Sequence, residues 1–332
     1  MRLKAFFCIL LAFLLVLPST ASVAEAKRLK GNKKKICRPL RHGQVHKKEI
    51  KRSAKKQKRS KYARKQRKSS RRLARARYRQ YSDALTAQCA IIMDADTQEV
   101  YLQKNARLPL QPASTIKIVT GFLALQMLNE NDPVRVSCYA ESAPRQKAYL
   151  RRGEVYPARD LIYATLLHSA NDASRALAEK MAGSEEDFAK IMTRTASALG
   201  ATNTVCRTAT GLTAPGQKTT AHDLAVMFQR AMQDDKFASI LKTRKFEIQG
   251  GRYVLNHNKA LWQVEGAEGG KTGFTQAAKR TYVGMFKRNN RTVIISFLGS
   301  TDLWGDVRRL VRAAFSDQKP VIHATFSGHT SS

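Results

Sequence analysis

The chain has 332 residues and a formal net charge of +35 at pH 7, from 60 Lys and Arg against 25 Asp and Glu. This length suits one sizeable domain or two small ones, and the 43% hydrophobic fraction predicts a packed core, which argues against a wholly disordered chain. Beyond the N-terminus no segment is long and apolar enough to cross a bilayer, which argues against a multi-span membrane protein.

Residues 1–26 have the pattern of a secretory signal peptide. Arg2 and Lys4 precede an apolar run over residues 5–17, which is short for a bilayer span, and Ala24 and Ala26 supply a small-x-small cleavage site. We therefore predict secretion across the cytoplasmic membrane, to the periplasm or cell envelope. An uncleaved membrane anchor is the alternative interpretation.

The next segment, residues 27–81, is predicted to be a basic, disordered arm, with at best a fluctuating helix between Lys51 and Gln80. Residues 27–80 hold 26 Lys and Arg against one acid, Glu49, and therefore supply +25 of the +35. So few aliphatic residues cannot offset the entropy cost of ordering the chain. The charge predicts attachment to an anionic envelope surface, with a solvated spacer as the equal alternative. The tyrosines are too few and too irregular to predict specific nucleic-acid binding.

A globular domain is predicted over residues 82–318, followed by a tail at 319–332. Strand patterns lie at both ends of this domain and helical patterns lie between them. The strand patterns cover residues 89–93, 99–103, 281–286 and 292–298; the helical patterns cover 116–125, 159–167, 173–181, 185–199, 221–232 and 303–315. This order predicts an α+β fold, with one antiparallel sheet built from both ends and a largely helical middle.

Four cysteines remain after the predicted signal: Cys37, Cys89, Cys138 and Cys206. Four cysteines allow three disulfide pairings, and their spacing selects none of them, so free thiols are an equal alternative. Neither a CxxC motif nor a Cys/His cluster is present, and we predict no metal or other cofactor.

One Ser-x-x-Lys pattern stands out as a candidate nucleophile and base. On a helix, residues i and i+3 share a face, so a lysine amine can reach the serine hydroxyl and take its proton. The chain contains this pattern four times, as Ser53/Lys56, Ser114/Lys117, Ser239/Lys242 and Ser316/Lys319. The second is favoured because Pro112 precedes it and an apolar helix pattern follows. Its serine, at a helix start, also brings a backbone N–H to the place where an oxyanion would form.

Two further motifs follow in chain order. Ser169 and Asn171 lie between two predicted helices, where a hydroxyl can relay a proton and an amide can hold a substrate; a helix cap is the alternative interpretation. The run 269–273 contains Lys271 and Thr272 between glycines, which suits close approach of a substrate backbone and binding of a carboxylate. A phosphate loop of the Walker type is excluded, because position 265 is Glu265 rather than glycine.

The three motifs in this order are the set of β-lactamases and penicillin-binding proteins, with Ala170 in place of the usual Asp. From about residue 82 to 315 the chain resembles the serine-type D-alanyl-D-alanine carboxypeptidases, the low-molecular-mass penicillin-binding proteins. The likeness is carried by residues 91–99, 112–117, 168–172, 211–212 and 270–273.

The resemblance implies a β-lactamase/transpeptidase-like fold and a D-Ala-D-Ala carboxypeptidase acting on peptidoglycan peptides, inhibited by β-lactams. Ser114 would be the nucleophile and Lys117 its base. Ser169 would pass a proton to the leaving amine, and Asn171 would orient the substrate. The run Lys271-Thr272-Gly273 would bind the substrate and its carboxylate, and the N–H groups of Ser114 and Phe274 would form the oxyanion hole.

Three alternatives remain open from the sequence. A D,D-endopeptidase would cut peptide cross-links with the same residues. A class A β-lactamase would need a deacylating glutamate, and residues 172–270 contain none in a Glu-x-x-x-Asn or Glu-x-x-Leu-Asn arrangement. An envelope-binding protein would work through the arm alone. The sequence also departs from many relatives in having no arginine in residues 299–302, where a carboxylate-binding arginine is expected.

Overall fold

The computed structural model describes residues 81–316 and, outside that range, only residue 64. The predicted signal peptide, most of the arm including Cys37, and the tail lie outside the described residues. No helix within 81–316 has the length and apolarity to span a membrane.

Residues 81–84 are helical, and nine strands and nine further α-helices follow them up to residue 316. In chain order they are β1 (Cys89–Asp94), β2 (Val100–Lys104), a 3-10 turn (Ala113–Ile116), α1 (Lys117–Met127), β3 (Pro133–Arg135), α2 (Cys138–Glu141), β4 (Val155–Pro157), α3 (Ala158–Leu166), α4 (Asn171–Ala182), α5 (Glu185–Ala198), α6 (Ala221–Ala231), α7 (Asp235–Lys242), β5 (Lys245–Ile248), β6 (Arg252–Leu255), α8 (Ala260–Gln263), β7 (Ala267–Thr275), β8 (Lys279–Arg288), β9 (Arg291–Ser300) and α9 (Leu303–Ala314).

The main sheet has five antiparallel strands in the order β2-β1-β9-β8-β7. The first hairpin of the domain therefore pairs with the last strand, which confirms the prediction of one antiparallel sheet built from both ends. Strand β7 lies at the edge of this sheet, so one side of its backbone has no partner strand within the described residues.

Both faces of the sheet are covered. Alternate residues of β1 point to opposite sides: Cys89, Ile91 and Met93 join the core shared with the helical middle, while Ala90 and Ile92 join the core beneath α9. All five are at most 1% exposed. A strand buried on both faces carries a continuous apolar run, as β1 does.

The chain enters the domain through a hydrogen-bond cluster around one buried carboxylate. Asp306 in α9 is fully buried and accepts hydrogen bonds from the backbone N–H groups of Thr86 and Ala87 at 3.0 and 2.9 Å. It also accepts from the hydroxyls of Thr86 and Ser300 at 2.7 and 2.8 Å. The residues just before β1 are thus fixed to α9 and to the end of β9.

Two short pairs of strands were not predicted from the sequence. Strand β3 pairs with β4, and β5 pairs with β6, both antiparallel. Their strands are three or four residues long, which is too short for the alternation of apolar and polar residues to show.

Candidate active site

Ser114 lies in the 3-10 turn that leads directly into α1. The residue before it, Ala113, has a left-handed φ of +49°. The carbonyl of Pro112 accepts hydrogen bonds from the hydroxyls of Thr115 at 2.6 Å and of Thr281, on β8, at 2.9 Å. This strained corner is therefore tied to the sheet, and it holds the serine between the helical middle and β8.

The Lys117 amine is completely buried and has three partners. Its Nζ lies 2.9 Å from Ser114 Oγ, 2.7 Å from Asn171 Oδ1 and 2.6 Å from the carbonyl oxygen of Thr210. The structure thus brings together Ser114, Lys117 and Asn171 from the predicted set.

Burial lowers the pKa of Lys117 well below its usual value, and the nearby charge of Lys271 lowers this pKa further. The carboxylates of Glu185 and Asp172 act in the opposite direction but are smaller influences. The lowered pKa favours the unprotonated amine, which is the form that a base needs.

Asn171 is the first residue of α4 and is 2% exposed. Its amide nitrogen donates to the carbonyls of Pro144 and Arg145 at 2.9 and 3.0 Å, which fixes its oxygen toward Lys117. The helix-cap interpretation is not what the structure has: the N-cap residue is Ala170, without a side-chain hydrogen bond.

Ser169, just before this helix, has a left-handed φ of +62° and is 5% exposed. Its buried hydroxyl has no hydrogen-bond partner among the described residues. Buried hydroxyls are usually paired, so this one is available to a reacting group.

Strand β7 carries the third motif. Lys271 is 1% exposed, its Nζ donates to the Thr272 carbonyl at 3.1 Å, and burial lowers its pKa to about 7. Gly273 lies so close to the nucleophile that a Cβ there would be 2.8 Å from Ser114 N. Phe274 follows with 54% of its surface exposed. The edge strand and the serine corner therefore meet at Gly273.

Another Ser-x-x-Lys pair within the described residues has no such setting. Ser239 and Lys242 lie on α7, and the exposed Lys242 amine forms an ion pair with Glu268. Ser239 therefore has no buried amine of the kind that lies beside Ser114.

Several groups at the site were not predicted. The carbonyls of Thr210, Pro144 and Arg145 are backbone acceptors, which no residue pattern identifies. The sequence did contain one indication of the Thr210 carbonyl, because the next residue, Gly211, belongs to the motifs that carry the resemblance. Gly211 has a φ of +74°, and a Cβ there would lie 2.0 Å from the Ala113 carbonyl oxygen.

The three cysteines of the described residues are free thiols. Burial raises the pKa of Cys89 to about 11 and that of Cys206 to about 12, so both are unreactive at neutral pH. Cys138 is exposed at the start of α2. No disulfide therefore joins Cys89, Cys138 and Cys206 to one another.

A family model described as D-alanyl-D-alanine carboxypeptidase matches residues 76–302. A D-alanyl-D-alanine carboxypeptidase of Mycobacterium tuberculosis is 36% identical over 217 residues, which are 64% of this chain and 74% of that relative. One from Bacillus subtilis is 31% identical over 242 residues, which are 69% of this chain and 62% of that relative.

Solved structures agree with these sequence matches. A crystal structure of a D-alanyl-D-alanine carboxypeptidase from Mycobacterium tuberculosis has a TM-score of 0.66 and 33% identity, covering 69% of this chain and 91% of that one. A penicillin-binding protein from Escherichia coli has a TM-score of 0.64 and 27% identity, covering 69% and 77%. A Streptomyces DD-transpeptidase mutant has a TM-score of 0.64 and 26% identity, covering 69% and 96%.

These matches confirm the fold class and the enzyme class that the three motifs implied. The chain belongs to the D-alanyl-D-alanine carboxypeptidase family of serine peptidases.

Proposed function

We propose that this protein is a serine D-Ala-D-Ala carboxypeptidase that trims peptidoglycan stem peptides through an acyl-enzyme on Ser114. The observation that carries this proposal is the 2.9 Å contact between Ser114 Oγ and the buried Lys117 amine. The family match supports the substrate class and inhibition by β-lactams.

The partners of Lys117 explain why its amine would act on this serine. A neutral amine has two hydrogens and one lone pair. Asn171 Oδ1 and the Thr210 carbonyl can only accept hydrogen bonds, so together they occupy both hydrogens. The lone pair is left to face Ser114 Oγ, and the serine proton can move to Lys117 as the oxygen attacks.

In the acylation step, Ser114 Oγ bonds to the carbonyl carbon of the terminal D-Ala-D-Ala peptide while its proton passes to Lys117. The N–H groups of Ser114 and Phe274 stabilise the oxyanion. As the C–N bond breaks, Ser169 delivers a proton to the leaving D-alanine nitrogen and takes its replacement from the protonated Lys117 amine. Water then hydrolyses the ester, which releases the shortened peptide and restores Ser114.

Substrate would bind along the free edge of β7. An extended peptide can add as a strand to an exposed edge, and the contact of Gly273 with the Ser114 corner would bring that peptide close to the nucleophile. Lys271 and Thr272 would take the terminal carboxylate, and Asn171 would orient the substrate amide. An anionic carboxylate beside Lys271 would raise its pKa again and restore its charge.

The same geometry serves a D,D-endopeptidase, and the two activities differ in products. Rapid β-lactam hydrolysis is not expected, because residues 172–270 lack the glutamate arrangement of a class A β-lactamase. A penicillin should therefore remain bound as a long-lived acyl-enzyme.

The proposal predicts covalent labelling of the protein by fluorescent penicillin, with complete loss of labelling in Ser114→Ala. The matched control is Ser239→Ala, which changes the other described Ser-x-x-Lys pair and should label like the wild type. Mass spectrometry of muropeptide products then assigns the bond: loss of one terminal alanine means carboxypeptidase, and separated stem peptides mean endopeptidase. A folded wild type that never labels would refute the proposal.

We also propose that the enzyme is secreted and works in the periplasm or cell envelope, and that residues 27–80 attach it to an anionic envelope surface. The predicted signal at residues 1–26 and the charge of +25 over residues 27–80 support this.

A further inference from the structure

A buried carboxylate behind the catalytic lysine has no role in the mechanism above. Glu185, the first residue of α5, is 7% exposed. Its Oε1 accepts a hydrogen bond from the backbone N–H of Ala209 at 2.8 Å. Its Oε2 accepts from the Tyr139 hydroxyl and lies 3.4 Å from Arg175 Nε. The guanidinium of Arg175 also stacks 4.1 Å above the Tyr139 ring, so both partners are fixed.

Glu185 holds Ala209, the residue directly before Thr210 of the active site. Ala209 is held on both sides, because its carbonyl accepts from Thr120 Oγ1 of α1 at 2.7 Å. The next residue, Thr210, supplies the carbonyl that lies 2.6 Å from Lys117 Nζ. Two anchors from different helices therefore fix one of the two acceptors that orient the Lys117 lone pair.

We infer that Glu185 is a positioning residue for acylation. It holds the Ala209 N–H so that the Thr210 carbonyl occupies one hydrogen of the Lys117 amine. This inference rests on the proposed function, because it assumes that Lys117 is the base. Without the anchor, the loop carbonyl would move, the amine could rotate, and its lone pair would lose its direction toward Ser114.

Glu185 also acts on Lys117 through its charge. The charged groups that influence this amine are Lys271 on β7, Asp172 on α4 and Glu185 on α5. The Glu185 carboxylate favours the protonated amine, so removing its charge lowers the pKa of Lys117 further. Two substitutions of Glu185 can therefore separate the effect of its hydrogen bond to Ala209 from the effect of its charge on Lys117.

The test measures the acylation rate constant and the pre-covalent binding constant of a penicillin separately, as functions of pH. Glu185→Ala removes the anchor and should lower the acylation rate constant by about 10- to 100-fold, with binding little changed. Glu185→Gln keeps an amide oxygen for Ala209 but no charge. It should retain more of the rate and move the acid limb of the pH profile to lower pH.

Glu186→Ala is the matched control. Glu186 is the next residue of the same helix turn, its side chain is 85% exposed, and within residues 81–316 its only ion pair is with Lys190. This variant should acylate like the wild type at every pH.

Thr120→Val gives a second test of the inference. It removes the other anchor of Ala209 with little change of shape, and it should also slow acylation.

The outcomes distinguish this inference from the proposed function. If folded Glu185→Ala and Thr120→Val acylate at the wild-type rate with an unchanged pH profile, the positioning role is wrong although the enzyme is a penicillin-reactive peptidase. If the wild type itself is not acylated, the proposed function fails first. A loss of melting temperature with an unchanged acylation rate would make Glu185 a purely structural residue.

Discussion

Two lysines of the site show how burial changes a residue's chemistry. Lysine is ordinarily a surface cation, yet Lys117 and Lys271 are at most 1% exposed. Burial is the main cause of the lowered pKa in both, and the charge of Lys271 adds to the effect on Lys117. Under the proposed function, burial would let a lysine amine serve as the base, because an amine withheld from water loses its proton more readily.

A buried lysine should also make the fold pH-dependent. The pKa of Lys271 is about 7 in the folded protein and 10.5 in its ordinary state. Between these values the unfolded chain binds more protons, so stability rises with pH, by at most about 1.4 kcal/mol per pH unit. The wild type should therefore gain stability relative to Lys271→Met as pH rises through this window.

The measurement is the free energy of unfolding in urea at several pH values for both proteins, because tyrosines and cysteines titrate alike in each and cancel. The exposed Lys259→Met serves as control and should follow the wild type. A difference between wild type and Lys271→Met that stays constant with pH would contradict a lowered pKa.

At the scale of elements, the site depends on a close approach between two loops. The loop containing Gly211 passes against the corner before Ser114, and the Ala113 carbonyl occupies the space of a Cβ. Gly183, at the end of α4, has nearly the same φ, +78° against +74°, but nothing within 4 Å of its Cβ position. Substituting each of the two glycines therefore separates the cost of backbone strain from the cost of steric crowding.

Gly183→Ala should lower the free energy of unfolding by about 1 kcal/mol, the cost of a left-handed φ, and leave penicillin acylation unchanged. Gly211→Ala adds overpacking, for a total of about 2–4 kcal/mol, and should slow acylation because it displaces the Ser114 corner and the Thr210 carbonyl. Urea unfolding and acylation rates check both. Equal effects of the two variants would mean that the close approach is unimportant.

Elements with strong periodicity were predictable and backbone acceptors were not. The helices α3 to α6 and the strands β1, β2, β8 and β9 follow their apolar patterns closely, whereas the strand pairs β3–β4 and β5–β6 have too few residues to show one. Strand β7 is rich in glycine and has no apolar pattern. At the site, Ser114 and Lys117 were identified by motif. The carbonyl of Thr210 could not be, since every residue has one. From the sequence alone, Glu185 would be interpreted as an ordinary acidic residue in the first turn of a helix.

The whole molecule combines two very different charge densities. Residues 81–332 contain 32 Lys and Arg against 23 Asp and Glu, a net +9, whereas residues 27–80 alone carry +25. Each basic residue near an anionic surface contributes about 1 kcal/mol of attraction, so residues 27–80 dominate any such attachment.

The mature chain should bind vesicles containing anionic lipid and lose affinity steeply with added salt, because screening acts on the charges of residues 27–80. Deletion of residues 27–80 should abolish sedimentation with the vesicles and leave penicillin acylation in solution unchanged. Attachment that is insensitive to salt, or that survives the deletion, would count against an electrostatic arm.

A molecule held to a surface through its N-terminal segment carries mechanical load where that segment enters the domain. That entry point is Thr86 and Ala87, fixed by Asp306 to α9 and continuing into β1. Tension would be carried by α9 and by β1 with its neighbour β9. The working edge β7 lies two strands beyond β9 in the sheet. The Ser114 corner is tied to β8 rather than to β1 or β9, so we expect tension at the entry point to reach the proposed nucleophile through the pairing of β8 with β9.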